Sequence, residues 1–91
     1  MTEKADSSVN TWFVYILRCV DGSLYTEITN DLIRRCEQHN AGTASRYTRS
    51  RLPVVLVYQE AQGSRNTALK REVEIKALSR QEKESLIRAA G

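Results

Sequence analysis

Arg35 and His39 stand four residues apart in the stretch DLIRRCEQHNAG, a spacing that puts both on one side of a helix. A guanidinium offers a planar fork of donors that matches a phosphate or a carboxylate, and an imidazole beside it can carry a proton near neutral pH. The pair is a candidate phosphate site; its other reading is a solvated helix edge. Glu72 raises a second chemical question. Within ALKREVEIKAL it lies about 40° from Ala68 on a helical wheel, inside the apolar stripe. A carboxylate facing a core is costly unless it is paired, protonated or bound to a cation. A metal ion would satisfy it, and so would an ion pair with Lys76 or Arg35, or a place at the edge of the stripe.

The four tyrosines, at 15, 25, 47 and 58, add hydroxyls and rings. Tyr58 reads most simply as a strand aromatic. Tyr47 lies among Arg46, Arg49 and Arg51, a mixture that suits nucleic-acid backbone contact with base stacking, or else a charged solvated loop.

The elements that must position these residues follow from pattern. WFVYILR is β-branched, aromatic and nearly continuous in its apolar character, which predicts a strand buried on both faces. LYTEIT predicts its hairpin partner, with Asp21-Gly22 in the turn. A two-residue Asp-Gly loop pairs Arg18 with Tyr25 and sends Tyr15 to the far face. A three-residue Val20-Asp21-Gly22 loop, with Gly22 in the left-handed position, pairs Leu17 with Tyr25 and brings the two tyrosines onto one face. Asn30 as N-cap and Gly42 as stop predict a helix over about 31–41. TASRYTRSRLP reads as an exposed, mobile, arginine-rich loop without a packing face. VVLVYQE predicts a third strand, Ser64 caps a helix over about 65–78, and SRQE opens a last helix to about 89.

Ninety-one residues suit one domain with one modest core and leave little room for an added recognition domain, so weak sequence specificity is expected. Residues 1–11 are polar and without period, and read as a flexible tail preceding a domain over 12–89. The formal charge is +3, and residues 34–51 hold five arginines against the single acid Glu37, a local excess that favours an anionic partner. Cys19 and Cys36 lack CxxC spacing and read as free thiols, which points to the cytoplasm. No apolar run is long enough to span a membrane, and no obligate protein partner is indicated.

At these residues the chain resembles the GIY-YIG nuclease superfamily, and in particular its small stand-alone bacterial members. FVYIL stands where the first half of that signature lies. LYTEIT stands where the second lies, its tyrosine ten residues after the first. DLIRRCEQHNAG, RYTRSRLPVVLVYQE and ALKREVEIKALSR are similar to the later blocks, so the likeness runs from Trp12 to Ile87. The resemblance implies an α+β fold, a three-stranded antiparallel sheet flanked by helices in the order β-β-α-β-α-α. It implies a DNA endonuclease that hydrolyses phosphodiester bonds with one Mg²⁺ or Mn²⁺ ion, the alternative being a non-catalytic nucleic-acid-binding module on the same fold. Carried onto this chain, it makes Tyr15 and Tyr25 the site tyrosines, Arg35 the phosphate-contacting arginine, His39 a proton-handling residue and Glu72 the metal ligand. Arg46, Tyr47, Arg49 and Arg51 are the expected nucleic-acid contacts.

One position departs from the pattern. The signature glycine that follows YT in these relatives is here Glu27. A glutamate at that position, expected at a strand end, brings a negative charge to a cleft meant for phosphate. It either pairs with Arg35 and fills the anion site or turns outward and does nothing.

Overall fold

A computed structural model describes residues 11–91. The expected tail therefore lies, but for Thr11, outside the described residues. The elements run β1 (Trp12–Arg18), β2 (Leu24–Thr29), α1 (Leu32–Asn40), α2 (Arg46–Arg49), β3 (Val55–Gln62), α3 (Arg65–Lys76) and α4 (Arg80–Ala90). The sheet is antiparallel throughout, with strand order β2-β1-β3. Its central strand is the most apolar one, as burial on both faces requires: Val14, Tyr15, Ile16 and Leu17 are all inaccessible to solvent.

The hairpin takes the longer loop. Cys19 N–H donates to the Ser23 carbonyl at 2.9 Å and Gly22 N–H to the Cys19 carbonyl at 2.9 Å, with Gly22 at φ 86°. That left-handed angle is one a glycine adopts without strain. Leu17 consequently pairs with Tyr25, and Tyr15 with Glu27. Residues opposite each other in an antiparallel pair share a face, so Tyr15, Leu17, Tyr25 and Glu27 all stand on one side of the sheet.

Each face carries its own apolar cluster. Val14 and Ile16 pack with Tyr58 and with Ala68 and Ile75 of α3, joined by Leu86 and Ile87 of α4. On the other face Tyr15, Leu17, Cys19 and Val54 pack with Leu32 and Cys36 of α1. Helix α1 starts one residue later than the sequence suggested. Asp31 is its N-cap, accepting from Arg34 N–H at 3.2 Å, in place of Asn30. At its other end Asn40 clasps the chain entering β3. Its amide accepts from Val54 N–H at 2.9 Å and donates to the Val54 carbonyl at 3.1 Å. Ser64 and Ser79 each close a capping box at the start of α3 and α4.

The arginine-rich segment differs from the expected open loop. Ser45 caps the short helix α2, its hydroxyl accepting from Tyr47 and Thr48 N–H. Thr48 is fully buried, and the Tyr47 ring lies against Tyr25. The segment has a packing face because capping turns Thr48 inward, a contact that composition does not reveal.

Candidate functional site

The face that carries Tyr15 and Tyr25 meets α1 at its one histidine and its second arginine. Glu27, half-buried in the middle of β2, is the hub. Its carboxylate accepts from the Tyr15 hydroxyl at 2.5 Å. From Arg35 it accepts two bonds, Nε at 3.1 Å and Nη2 at 3.0 Å, one to each oxygen. His39 Nε2 lies 3.3 Å from the same oxygen that Tyr15 binds and 2.9 Å from the Tyr15 hydroxyl. The glutamate thus points inward and is not at a strand end: it stands opposite Tyr15 in the central strand, with three side chains converging on it.

Arg35 makes a fork-to-fork pair with Glu27, the geometry it would offer two oxygens of a phosphate. Its Nη1 donates to Gln38 Oε1 at 3.2 Å, and Nη2 also reaches the Ala44 carbonyl. Burial would raise the Glu27 carboxyl, but the bonds from Arg35 and Tyr15 outweigh it and hold the group below the usual carboxylate range. Burial, reinforced by the Glu27 bond, pushes the Tyr15 phenol up, so it stays protonated at neutral pH.

His39 is wholly enclosed, and burial lowers its pKa against the opposing pull of Glu27. Its Nδ1 lies 2.9 Å from the Thr48 hydroxyl. With the Tyr15 proton directed to Glu27, Nε2 faces two acceptors and carries the imidazole hydrogen. Nδ1 then accepts from Thr48. Thr48 and Gln38 are partners that sequence reasoning missed. Thr48 was legible only through Ser45 three residues before it, a capping spacing.

Tyr25 sits edge-on to His39 with ring centroids 5.4 Å apart and stacks on Tyr47 at 5.7 Å and 16°. The Arg51 guanidinium lies 3.8 Å above the Tyr47 ring, while its Nε donates to Asp21 at 3.1 Å. Arg46 and Arg49 are exposed and have no anionic partner among the described residues.

Glu72 takes one of the two ion-pair partners that the sequence offered: Lys76 Nζ lies at 3.0 Å, one helical turn along, and Arg35 pairs with Glu27 instead. The reason is the packing of α3, which lays Ala68 and Ile75 on the Val14–Ile16 face, the side of the sheet away from Tyr15. Glu72 is nonetheless sheltered, at 15% side-chain exposure against 56% for Lys76.

A small antiparallel sheet with helices on both faces carries tyrosines on its first two strands and an arginine and histidine on the following helix, and the family match to this arrangement is of nuclease type. A family model described as the GIY-YIG catalytic domain matches residues 11–85. The chain belongs to that family, and within it to a group of small single-domain proteins named UPF0213. It is 46% identical over 89 residues to UPF0213 protein DP2720 of Desulfotalea psychrophila, covering 97% of this chain and 81% of that one. It is 50% identical over 80 residues to a UPF0213 protein of Staphylococcus aureus, covering 88% and 98%. Among solved structures it is similar to the UPF0213 protein BH0048 of Bacillus halodurans, with TM-score 0.59 and 44% identity over 89% of this chain and 86% of that one. It is also similar to EF2693 of E. faecalis, with TM-score 0.57 and 35% identity over 84% and 82%.

Proposed function

We propose that the chain is a metal-dependent DNA phosphodiester hydrolase whose resting activity is held down by Glu27. The observation that carries this reading is the two-bond pair between Arg35 and Glu27, in which a carboxylate occupies the fork a phosphate would take. At about 4 Å and an effective dielectric near 20, one such charge pair amounts to about 4 kcal/mol before desolvation, so an incoming phosphate competes with a strong internal anion.

When Glu27 is displaced, the residues left have defined roles. Arg35 faces the scissile phosphate and balances the charge that builds on it. Tyr15, released from Glu27, directs its hydroxyl to His39 Nε2, and His39 passes its own hydrogen to the Nδ1 side, next to Thr48. Tyr15 can then take a proton from water while His39 accepts the phenolic one. Tyr25, edge-on to His39, holds the imidazole plane.

Divalent metal use is general among GIY-YIG nucleases, and Glu72 is the residue here that fits such an ion. Among the described residues no three His, Cys, Asp or Glu side chains converge. A one-carboxylate site suits Mg²⁺ or Mn²⁺, which keep most of their waters, and not a cation that needs a full protein cage. Lys76 is exposed enough to yield to it. A bound ion would supply Lewis-acid chemistry there. Because α3 packs on the face away from Tyr15, it would stand across the sheet from the Arg35 fork, and Glu72→Ala tests whether the two act on one phosphodiester.

The second reading is a binding module that keeps the cationic surface without turnover; the unpaired, exposed Arg46 and Arg49 favour it. The test is nicking of supercoiled plasmid with Mg²⁺ or Mn²⁺ by the parent protein and by Glu27→Gly. The variant is expected to cleave at least about tenfold faster, equivalent to about 1.4 kcal/mol in the barrier, and Glu72→Ala is expected to abolish that gain. Equal rates for parent and Glu27→Gly would overturn the occluding role. Cleavage by neither, with salt-dependent binding retained, would favour the binding module.

A further inference from the structure

A recess outside the Glu27 cluster reaches Arg35 from the N-terminal half of α1. Where β1 begins and β2 ends, a groove of about 270 Å³ is lined by Trp12, Ile28, Asp31, Arg34, Arg35 and Gln38, among others. Its volume falls just below the range of sites that hold drug-sized molecules and suits a single base-sized group. Trp12 packs against the apolar cluster beneath it and also contributes to this groove, so the indole is anchored yet reachable. The Arg65 guanidinium lies 5.8 Å from the centre of its ring.

The charges around the groove are unevenly committed. Arg35 is paired with Glu27, and Asp31 is engaged at the cap of α1, accepting from the Arg34 backbone at 3.2 Å. The guanidinium groups of Arg34 and Arg65 have no carboxylate partner among the described residues. The groove therefore combines an anchored aromatic ring with one arginine free of a carboxylate, Arg34, and opens onto the arginine of the phosphate fork; Arg65 lies over the Trp12 ring, outside the lining.

We propose that this groove holds one unpaired nucleotide of single-stranded DNA, its base against Trp12 and its phosphate at Arg34. The neighbouring phosphate then falls toward Arg35. A ring stacks only on a base whose face is bare, which a duplex does not offer, and stacking tolerates any base. The carboxylate of Asp31 keeps the phosphate on the arginine side by repulsion. The protein would accordingly act at ends, flaps or gaps in preference to continuous duplex. The proposal rests on the nucleic-acid reading of the Arg35 site but not on cleavage.

Trp12 is the single tryptophan of the chain, so intrinsic fluorescence reports on this one position. In EDTA, where no metal-dependent cleavage occurs, a short oligothymidylate is expected to quench Trp12 saturably, with an affinity that falls as salt rises. A duplex of equal length is expected to bind roughly tenfold more weakly at this site, the scale of one stacked base. Replacing Arg34 by alanine is expected to weaken the single-strand affinity several-fold and to flatten its salt dependence. Trp12→Phe, which keeps a ring in the packing, is expected to retain part of the affinity in an anisotropy titration with labelled oligothymidylate. No quenching, equal affinity for duplex, or the same quenching by inorganic phosphate would each overturn the proposal. These titrations read the unmodified protein and stand even if a variant fails to fold. Loss of plasmid nicking with this quenching intact would remove the hydrolase reading and leave the groove assigned.

Discussion

Two clusters of like composition grip opposite faces of the sheet. In one, Glu27 of β2 receives the Tyr15 hydroxyl and the Arg35 guanidinium and ties α1 to the sheet. In the other, Glu60 of β3 receives the Tyr58 hydroxyl and Arg71 Nε at 2.9 Å and ties α3 to it. In both, burial works to raise the carboxyl and the bonded tyrosine and arginine more than reverse it. A tyrosine–glutamate–arginine clasp is thus a structural device this fold uses twice.

What separates the clusters is their surroundings. Arg71 is shared between Glu60 and Glu74, whose oxygen lies 3.0 Å from Nη1, so that cluster holds two carboxylates for one guanidinium and repels a phosphate. Arg35 has one carboxylate partner, and removal of that partner leaves a bare cation. The Glu27 cluster also contains a fully buried histidine with both ring nitrogens bonded, which the Glu60 cluster lacks. One clasp is over-supplied with negative charge; the other is one side chain away from being an anion site.

The largest expected effect breaks the feature that has no counterpart. His39→Ala removes a fully buried ring and leaves Thr48 and Tyr15 short of a partner, which should cost about 3 kcal/mol in a urea melt. A loss below about 1 kcal/mol would show that the imidazole is not a structural member of its cluster. Next, Glu27→Gly should cost about 2–3 kcal/mol, because a mid-strand glycine adds to the loss of bonds to a charged group. That exceeds the roughly 1 kcal/mol appropriate to a strand-end residue outside the core. Glu60→Gly should cost less, since Arg71 keeps Glu74. Equal losses at the two positions would mean that the clasps are energetically alike.

Acidification separates the clusters by window. The folded pKa of His39 lies below its ordinary 6.5, so the unfolded chain binds the extra proton and stability is lost as pH falls below about 6.5 toward the folded value. Glu27 and Glu60, both depressed from 4.5, contribute stability that is full above that value and lost as pH falls through their folded pKa values. The urea midpoint should therefore decline in two stages, with only the upper stage missing in His39→Gln. Persistence of the upper stage in that variant would assign it elsewhere.

The smallest effect on stability is expected at Arg46 and Arg49. Replacing both by alanine should change stability by no more than about 0.5 kcal/mol, while DNA affinity falls and the salt slope drops by about 2. Arg51 should contribute less, because Asp21 and the Tyr47 ring already engage it. An unchanged slope would move the binding surface away from α2.

Much of the fold was legible because it rests on local signals. WFVYILR announced a central strand by its continuous apolar character, Ser64 and Ser79 announced helix starts, and Gly22 announced the left-handed turn. The Arg35–His39 spacing and the odd glutamate at 27 likewise marked the site. Helix α2 was missed because its packing face consists of one threonine and one tyrosine, whose partners are far away in the chain. The other ion pair open to Glu72, with Arg35, did not form, since a helical wheel gives an angle about an axis and not the face of the sheet on which that axis lies.

The sequence by itself determined the element types, the hairpin alternatives and the Arg35–His39 spacing that makes them candidates for a phosphate site, all properties of neighbours a few positions apart. Tertiary structure decided that Glu27 turns inward, that Thr48 fixes His39, and that α3 takes Glu72 to the other side of the sheet from Tyr15. Those outcomes depend on register and on which face each helix covers. A one-residue slip in the hairpin, or α3 laid on the opposite face, would leave every local preference satisfied and move each of these groups elsewhere.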